Sequence, residues 1–63
     1  MKTFETFKAD IEKDLEELAK LDVTGAAEAL NRVKRGKHDA TIRDAMGSAS
    51  KDSEISDMII QLG

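Results

Sequence analysis

The sequence predicts an all-α fold, a small compact bundle of four helices in a single domain that spans residues 1–63. Proline is absent from the chain, and β-branched residues are a minority, so local preferences favour helix throughout. Large apolar residues recur at spacings of three and four, which is the period of a helix with one buried face. Four such segments separated by polar or glycine-containing connections predict a long first helix and a short third helix.

The length of the chain sets a narrow limit on its stability. A domain of 63 residues buries only roughly 60% of the surface that its unfolded chain exposes. The chain has no cysteine, which excludes disulfides and zinc–thiolate sites. Tight helix packing or completion of the bundle by a homodimer could supply the missing stability, and the sequence leaves both open. We expect a cytoplasmic protein without a membrane partner, since no apolar run approaches 18 residues.

The first helix has the clearest pattern. Thr3 is a suitable N-cap because its hydroxyl can accept a backbone N–H, and the helix should run to about Lys20. Its apolar residues form one face that we expect to pack on the core; they are Phe4, Phe7, Ile11, Leu15 and Leu18. Both charge signs occur on the opposite face, which is atypical of a helix that lies on a membrane surface.

A second helix is predicted from Gly25 to about Arg35, with Asp22 or Thr24 as its N-cap and Gly36 as a left-handed residue after its end. Its alanines should allow close approach to the first helix. The inner face comprises Ala26, Ala29, Leu30 and Val33.

A third helix should be capped by Asp39 and ended by Gly47. A polar connection then precedes a fourth helix, which should begin at Asp52 or Ser53 and end at Leu62. The predicted core of the whole bundle is Phe4, Phe7, Ile11, Leu15, Leu18, Leu21, Leu30, Val33, Ile42, Met46, Ile55, Met58, Ile59 and Leu62.

Charge is distributed unevenly along this acidic chain. The net charge is −3 overall, but residues 1–28 hold four lysines against eight acids, and residues 44–63 hold one lysine against four acids. The middle of the chain contains a basic patch, which we predict to be the partner-binding surface; it consists of Arg32, Lys34, Arg35, Lys37 and Arg43. Its only acid is Asp39, so residues 29–43 have a net charge of +4.

The sequence contains few residues that could catalyse a reaction or hold a cofactor. His38 is the only histidine, and we expect its ring to pack against the edge of the core. A nucleophilic arrangement of Ser48, His38 and Asp39 would be a chance combination in a chain rich in serine and aspartate. The glycines stand singly at helix boundaries and form no phosphate-binding loop. We therefore predict no enzyme activity, no cofactor and no metal site.

The sequence leaves two candidate functions. We favour a small non-enzymatic regulatory or adaptor protein that acts by binding another macromolecule, and we expect that macromolecule to be a protein. The alternative is a nucleic-acid-binding regulator that uses the basic patch on phosphates. Around Gly36 the segment resembles a helix-turn-helix in the position of Ile42, but Arg32 and Arg35 occupy positions where that motif has small or apolar residues. A nucleic-acid binder should gather all five cations on one surface without intervening acids, whereas a protein binder should expose apolar residues bordered by charge.

Overall fold

Four helices and no strands make up the part of the chain that the structure, a computed structural model, describes, namely residues 3–48 and 51–62. Helix α1 spans Phe4–Lys20, α2 spans Ala26–Lys34, α3 spans Asp39–Met46 and α4 spans Asp52–Leu62. The all-α bundle is confirmed, with α1 the longest helix at 17 residues and α3 the shortest at 8. Residues 49 and 50, within the predicted polar connection, lie outside the described residues.

Helix α1 is central to the bundle, because it packs against all three other helices and most extensively against α2. Its first turn is capped as predicted, since the backbone N–H of Thr6 donates to the hydroxyl of Thr3 at 3.2 Å. Phe7, Ile11 and Leu15 are buried. The apolar face of α1 is therefore covered by the other helices of the same chain. The homodimer stays a prediction, but exposure of this face no longer supports it.

All four helices contribute to one apolar core. Its buried members are Phe7, Ile11, Leu15, Ala29, Val33, Ile42, Ile55 and Ile59. The close approach predicted for α2 is confirmed, because Ala26 and Ala29 are both fully buried. Further apolar side chains pack against this core while remaining partly exposed; they are Phe4, Leu18, Leu30, Ala45, Met46 and Ile60.

Three residues of the predicted core are exposed instead. Leu21 is 75% exposed because it is the C-cap of α1 and lies beyond the last turn that packs on the core. Met58 is 38% exposed and Leu62 57% exposed. The buried face of α4 runs through Ile55, Ser56 and Ile59. At 100° per residue, Met58 and Leu62 lie on the opposite side of Ile55 from Ser56, and that side of the helix is exposed.

The connection between α1 and α2 differs from the prediction. Asp22 does not cap α2; it ends α1 in the left-handed conformation, with φ 60°. Its N–H donates to the carbonyl of Ala19, and the N–H of Val23 donates to that of Leu18, which is the Schellman pattern of hydrogen bonds. Thr24 is not the cap either, since Gly25 precedes α2 with φ 86° and provides no side chain. Asp22 lies three residues before Gly25, the N-cap position of α2, and is therefore too far from the first turn of that helix to cap it.

The turn between α2 and α3 follows the prediction at Gly36, whose φ of 83° is left-handed. The Gly36 N–H donates to the carbonyl of Val33, and the Lys37 N–H donates to that of Arg32, so this is a second Schellman motif. Asp39 was predicted to cap α3, and that prediction is wrong. His38 occupies the N-cap position without a side-chain cap, and Asp39 is the first residue of the helix.

Candidate functional site

The candidate site lies at the C-terminal end of α2, where the structure separates the five residues of the basic patch into three environments. Lys34, Arg35 and Lys37 are exposed; we name these three the basic turn. Arg32 is half-buried and directed into the fold. Arg43 belongs to α3 and lies on an aromatic ring. The structure thus brings three of the five residues together as one exposed group.

The basic turn is built by the way α2 ends. The left-handed residue Gly36 reverses the chain directly after Arg35, and the backbone N–H of Lys37 donates to the Arg32 carbonyl in the last turn of α2. Cations are favourable here because the carbonyl end of a helix bears a partial negative charge. Among residues 3–48 and 51–62, no carboxylate forms an ion pair with any of the three cations. Their charges therefore remain available to a partner.

Arg32 connects the ends of two helices. Its Nη2 donates to the carbonyl of Ile59 at 3.0 Å, which is one of the last four carbonyls of α4 and has no partner within that helix. Its Nε donates to Nε2 of His38 at 3.1 Å. The sequence pattern gave no sign of this role, because a cation near a helix end is usually solvated.

His38 is held in its neutral form by this contact. Arginine can only donate hydrogen bonds, so Nε2 of His38 must carry a lone pair and the ring proton must lie on Nδ1. The side chain lies at the core edge, as predicted, and the residue is only 9% exposed. Burial lowers the pKa of His38 below its usual 6.5, and the positive charges of Arg32 and Lys37 lower it further.

Arg43 is separated from the basic turn by a carboxylate. The Arg43 guanidinium lies 4.5 Å from the centre of the Phe4 ring, a distance at which cation–π attraction is significant. Asp39, one helical turn earlier, accepts a hydrogen bond from Nζ of Lys8 at 2.9 Å. The same carboxylate lies against Gly36, since a Cβ atom at that position would be 3.3 Å from Asp39 Oδ2. The basic patch is thus interrupted by an ion pair.

The three residues of the hypothetical nucleophilic arrangement are each engaged elsewhere. The Ser48 hydroxyl donates to the carbonyl of Ala45 at 2.8 Å. The Nε2 atom of His38 is occupied by the guanidinium of Arg32, and Asp39 is paired with Lys8. The contacts shown by the structure do not direct His38 toward either a hydroxyl or a carboxylate.

Exposed apolar side chains form a second feature of the surface. Leu21, with Glu17 and Lys20, lines a shallow depression near the end of α1. Val23 follows in the connection to α2 and is also exposed. Charged residues thus border an exposed leucine, as expected for a protein-binding surface. The sequence prediction missed this feature because it assigned Leu21 to the core.

Within the described residues, no helix has both the length and the apolar character needed to cross a membrane. The same residues contain no group of three or more histidine, aspartate or glutamate side chains arranged to hold a metal ion. Comparisons with protein-family models, with curated proteins and with solved structures found no match.

Proposed function

We propose that this chain is a small, non-enzymatic regulatory or adaptor protein of the cytoplasm that binds an acidic segment of another protein through its basic turn. The observation that carries the proposal is the exposure of Lys34, Arg35 and Lys37 at one helix end without a carboxylate partner among the described residues. The chain has 13 acids, yet within the described residues none of their carboxylates pairs with these three cations. Three clustered charges attract an acidic partner and fix its register.

Three further observations favour a protein over a nucleic acid as the partner. A phosphate backbone is bound best by a continuous row of cations, but the Asp39 carboxylate lies between the basic turn and Arg43. The half-buried guanidinium of Arg32 is directed to the Ile59 carbonyl and not to solvent alone. Leu21 also offers an apolar contact bordered by charge, which suits a protein surface.

The contacts of His38 support a non-enzymatic role. A general base needs a nitrogen lone pair that is directed toward a substrate, whereas Nε2 of His38 accepts from Arg32. The positive charges of Arg32 and Lys37 stabilise the neutral ring and would oppose the imidazolium that proton abstraction creates. The residues of the site are therefore better suited to holding a partner by charge than to transferring protons.

Affinity capture with matched variants tests the proposal. The native chain and a variant with Lys34→Gln, Arg35→Gln and Lys37→Gln would be used to capture partners from nuclease-treated cell extract. We expect the native chain to retain a protein with an acidic segment, and the triple variant to lose it. Binding of the purified partner should weaken as salt rises, because charges are screened over about 10 Å at 0.1 M ionic strength.

The control is a variant with Lys13→Gln and Lys51→Gln, which removes two exposed cations that lie outside the basic turn and outside the depression at Leu21, and it should retain the partner. Equal capture by the native chain and the triple variant would contradict the assignment of the basic turn. A parallel capture from untreated extract tests the alternative: RNA or DNA bound to the native chain, or a partner retained only without nuclease, would instead support the nucleic-acid function.

A further inference from the structure

The Arg32–His38 pair has a geometry that depends on one proton. Two hydrogen bonds hold the Arg32 guanidinium between α2, the turn and α4. Their donor–acceptor distances are 3.1 Å to Nε2 of His38 and 3.0 Å to the Ile59 carbonyl. Both contacts require Arg32 to donate. If Nε2 of His38 took a proton from solvent, two N–H groups and two positive charges would face each other at this distance. One of the two side chains would have to move.

We propose that His38 and Arg32 form a proton-controlled latch, in which protonation of His38 releases the Arg32 guanidinium from the Ile59 carbonyl and turns it outward toward the basic turn. His38 is nearly buried and held within the chain reversal, whereas Arg32 has a long and flexible side chain. Arg32 is therefore the side chain that moves. Its release frees the last turn of α4 and adds a fourth cation to the surface formed by Lys34, Arg35 and Lys37.

The positive charges around His38 both oppose its protonation. Arg32 faces the ring from α2, and Lys37 precedes it in the turn; both oppose a charge on the ring. Helix α4 contributes the Ile59 carbonyl, which is bound to Arg32. The carboxylate of Asp39, the next residue in the chain, accepts a hydrogen bond from Nζ of Lys8 in α1. In the observed arrangement, protonation therefore brings repulsion without a compensating ion pair.

The latch can be tested on the free protein by nuclear magnetic resonance over a titration from about pH 8 to about pH 5. We expect His38 to show the Nδ1–H tautomer at high pH. As Nε2 protonates, at a pH below the usual 6.5, the Arg32 Nε–H signal should lose its protection from solvent exchange. The carbonyl ¹³C resonance of Ile59 should shift in the same pH range, because it loses its hydrogen bond from Nη2.

A His38→Gln variant provides the matched control. Its amide oxygen can accept from Arg32 Nε but does not titrate, so the Arg32 and Ile59 signals should be independent of pH. If the native Arg32 Nε–H signal stays protected while His38 becomes protonated, the latch does not exist. Identical titrations of the Arg32 and Ile59 signals in the native chain and the variant would overturn it as well. The native titration decides the question even if the variant fails to fold.

The consequence for binding rests on the proposed function and has a separate measurement. Poly-L-aspartate serves as an acidic polypeptide that stays ionised over this range. We expect its affinity for the native chain to rise on acidification through the His38 transition, and its affinity for His38→Gln to remain constant. Equal pH dependence in both proteins would overturn the link to binding. Failure to bind poly-L-aspartate at any pH would count against the basic turn, while the resonance titration would still decide the latch.

Discussion

The guanidinium of Arg32, in the last turn of α2, donates from Nη2 to the carbonyl of Ile59 in the last turn of α4 at 3.0 Å. The last turn of α4 contains no basic residue of its own. Arg32 therefore supplies, from 27 positions earlier in the chain, the cation that a helix C-terminus favours. A residue that belongs by sequence to the basic patch thus serves to hold two helices together.

The first prediction concerns Arg32 and its exposed neighbour. Arg32→Ala should lower the free energy of unfolding by about 2 kcal/mol, because hydrogen bonds from a charged donor to His38 and Ile59 are lost and partly buried acceptors remain unpaired. Arg35→Ala removes the same side chain from an exposed position at the same helix end and should change stability by less than about 0.5 kcal/mol. Urea denaturation of both variants gives the comparison. Equal losses would indicate that the inward contacts of Arg32 contribute nothing.

The second prediction concerns pH. The pKa of His38 is lowered in the folded chain from its usual 6.5, so the unfolded chain binds more protons as pH falls through this range. The stabilisation from neutral His38 should be complete above pH 6.5 and should decrease as pH falls toward the folded pKa. Thermal melts at about pH 8 and about pH 5.5 should show a lower midpoint at the lower pH. The His38→Gln variant should show a smaller difference, and a native midpoint that rises on acidification would contradict the prediction.

The third prediction compares Leu15, within α1, with Leu21, the C-cap of that helix. Leu15→Ala should destabilise the chain by about 2–5 kcal/mol, because it leaves a cavity in the core. This is enough to unfold most molecules of so small a domain. Leu21→Ala removes an equal volume from an exposed position and should have an effect within about 0.5 kcal/mol. Circular dichroism melts would measure both, and similar midpoints for the two variants would mean that the bundle is packed differently.

The fourth prediction concerns Ser56, which is fully buried in α4 with no hydrogen-bond partner for its hydroxyl among the described residues. A buried hydroxyl without a partner is unfavourable by about 1–3 kcal/mol relative to water. Ser56→Ala should therefore stabilise the chain by about 1 kcal/mol. Ser53→Ala, at an exposed position of the same helix, measures the gain from helix propensity alone. If Ser56→Ala stabilises no more than this control, the hydroxyl has a partner in solution.

The fifth prediction concerns Asp22, the one non-glycine residue with positive φ in the described chain. Asp22→Gly should raise the free energy of unfolding by about 1 kcal/mol, because glycine adopts the left-handed conformation without a steric penalty. Asp22→Asn separates the two contributions, since it tolerates this conformation but removes the negative charge from the C-terminus of α1. Denaturation midpoints of the three proteins would measure both effects. A glycine variant less stable than the native chain would show that the Asp22 side chain makes a stabilising contact.

The helices could be predicted because their signals are local. The spacing of Phe7, Ile11 and Leu15, the cap at Thr3 and the left-handed glycine at position 36 depend on residues only a few positions apart. The two errors in capping arose where a residue had two roles available. Asp22 could cap one helix or end another, and Asp39 could cap α3 or pair with a distant lysine. The pairing of Asp39 depends on the position of Lys8 in α1, which only the tertiary structure gives.

The sequence by itself determined the number, order and approximate ends of the helices, the buried face of α1 and the clustering of cations between residues 32 and 43. These follow from periodicity, capping and charge within short segments. The tertiary structure decided the rotation of α4, which exposes Met58 and Leu62 and buries Ser56. It also decided that Arg32 turns inward while Lys34, Arg35 and Lys37 stay exposed. The reason is that side chains far apart in sequence compete for the same partners, and only packing selects which of them meet.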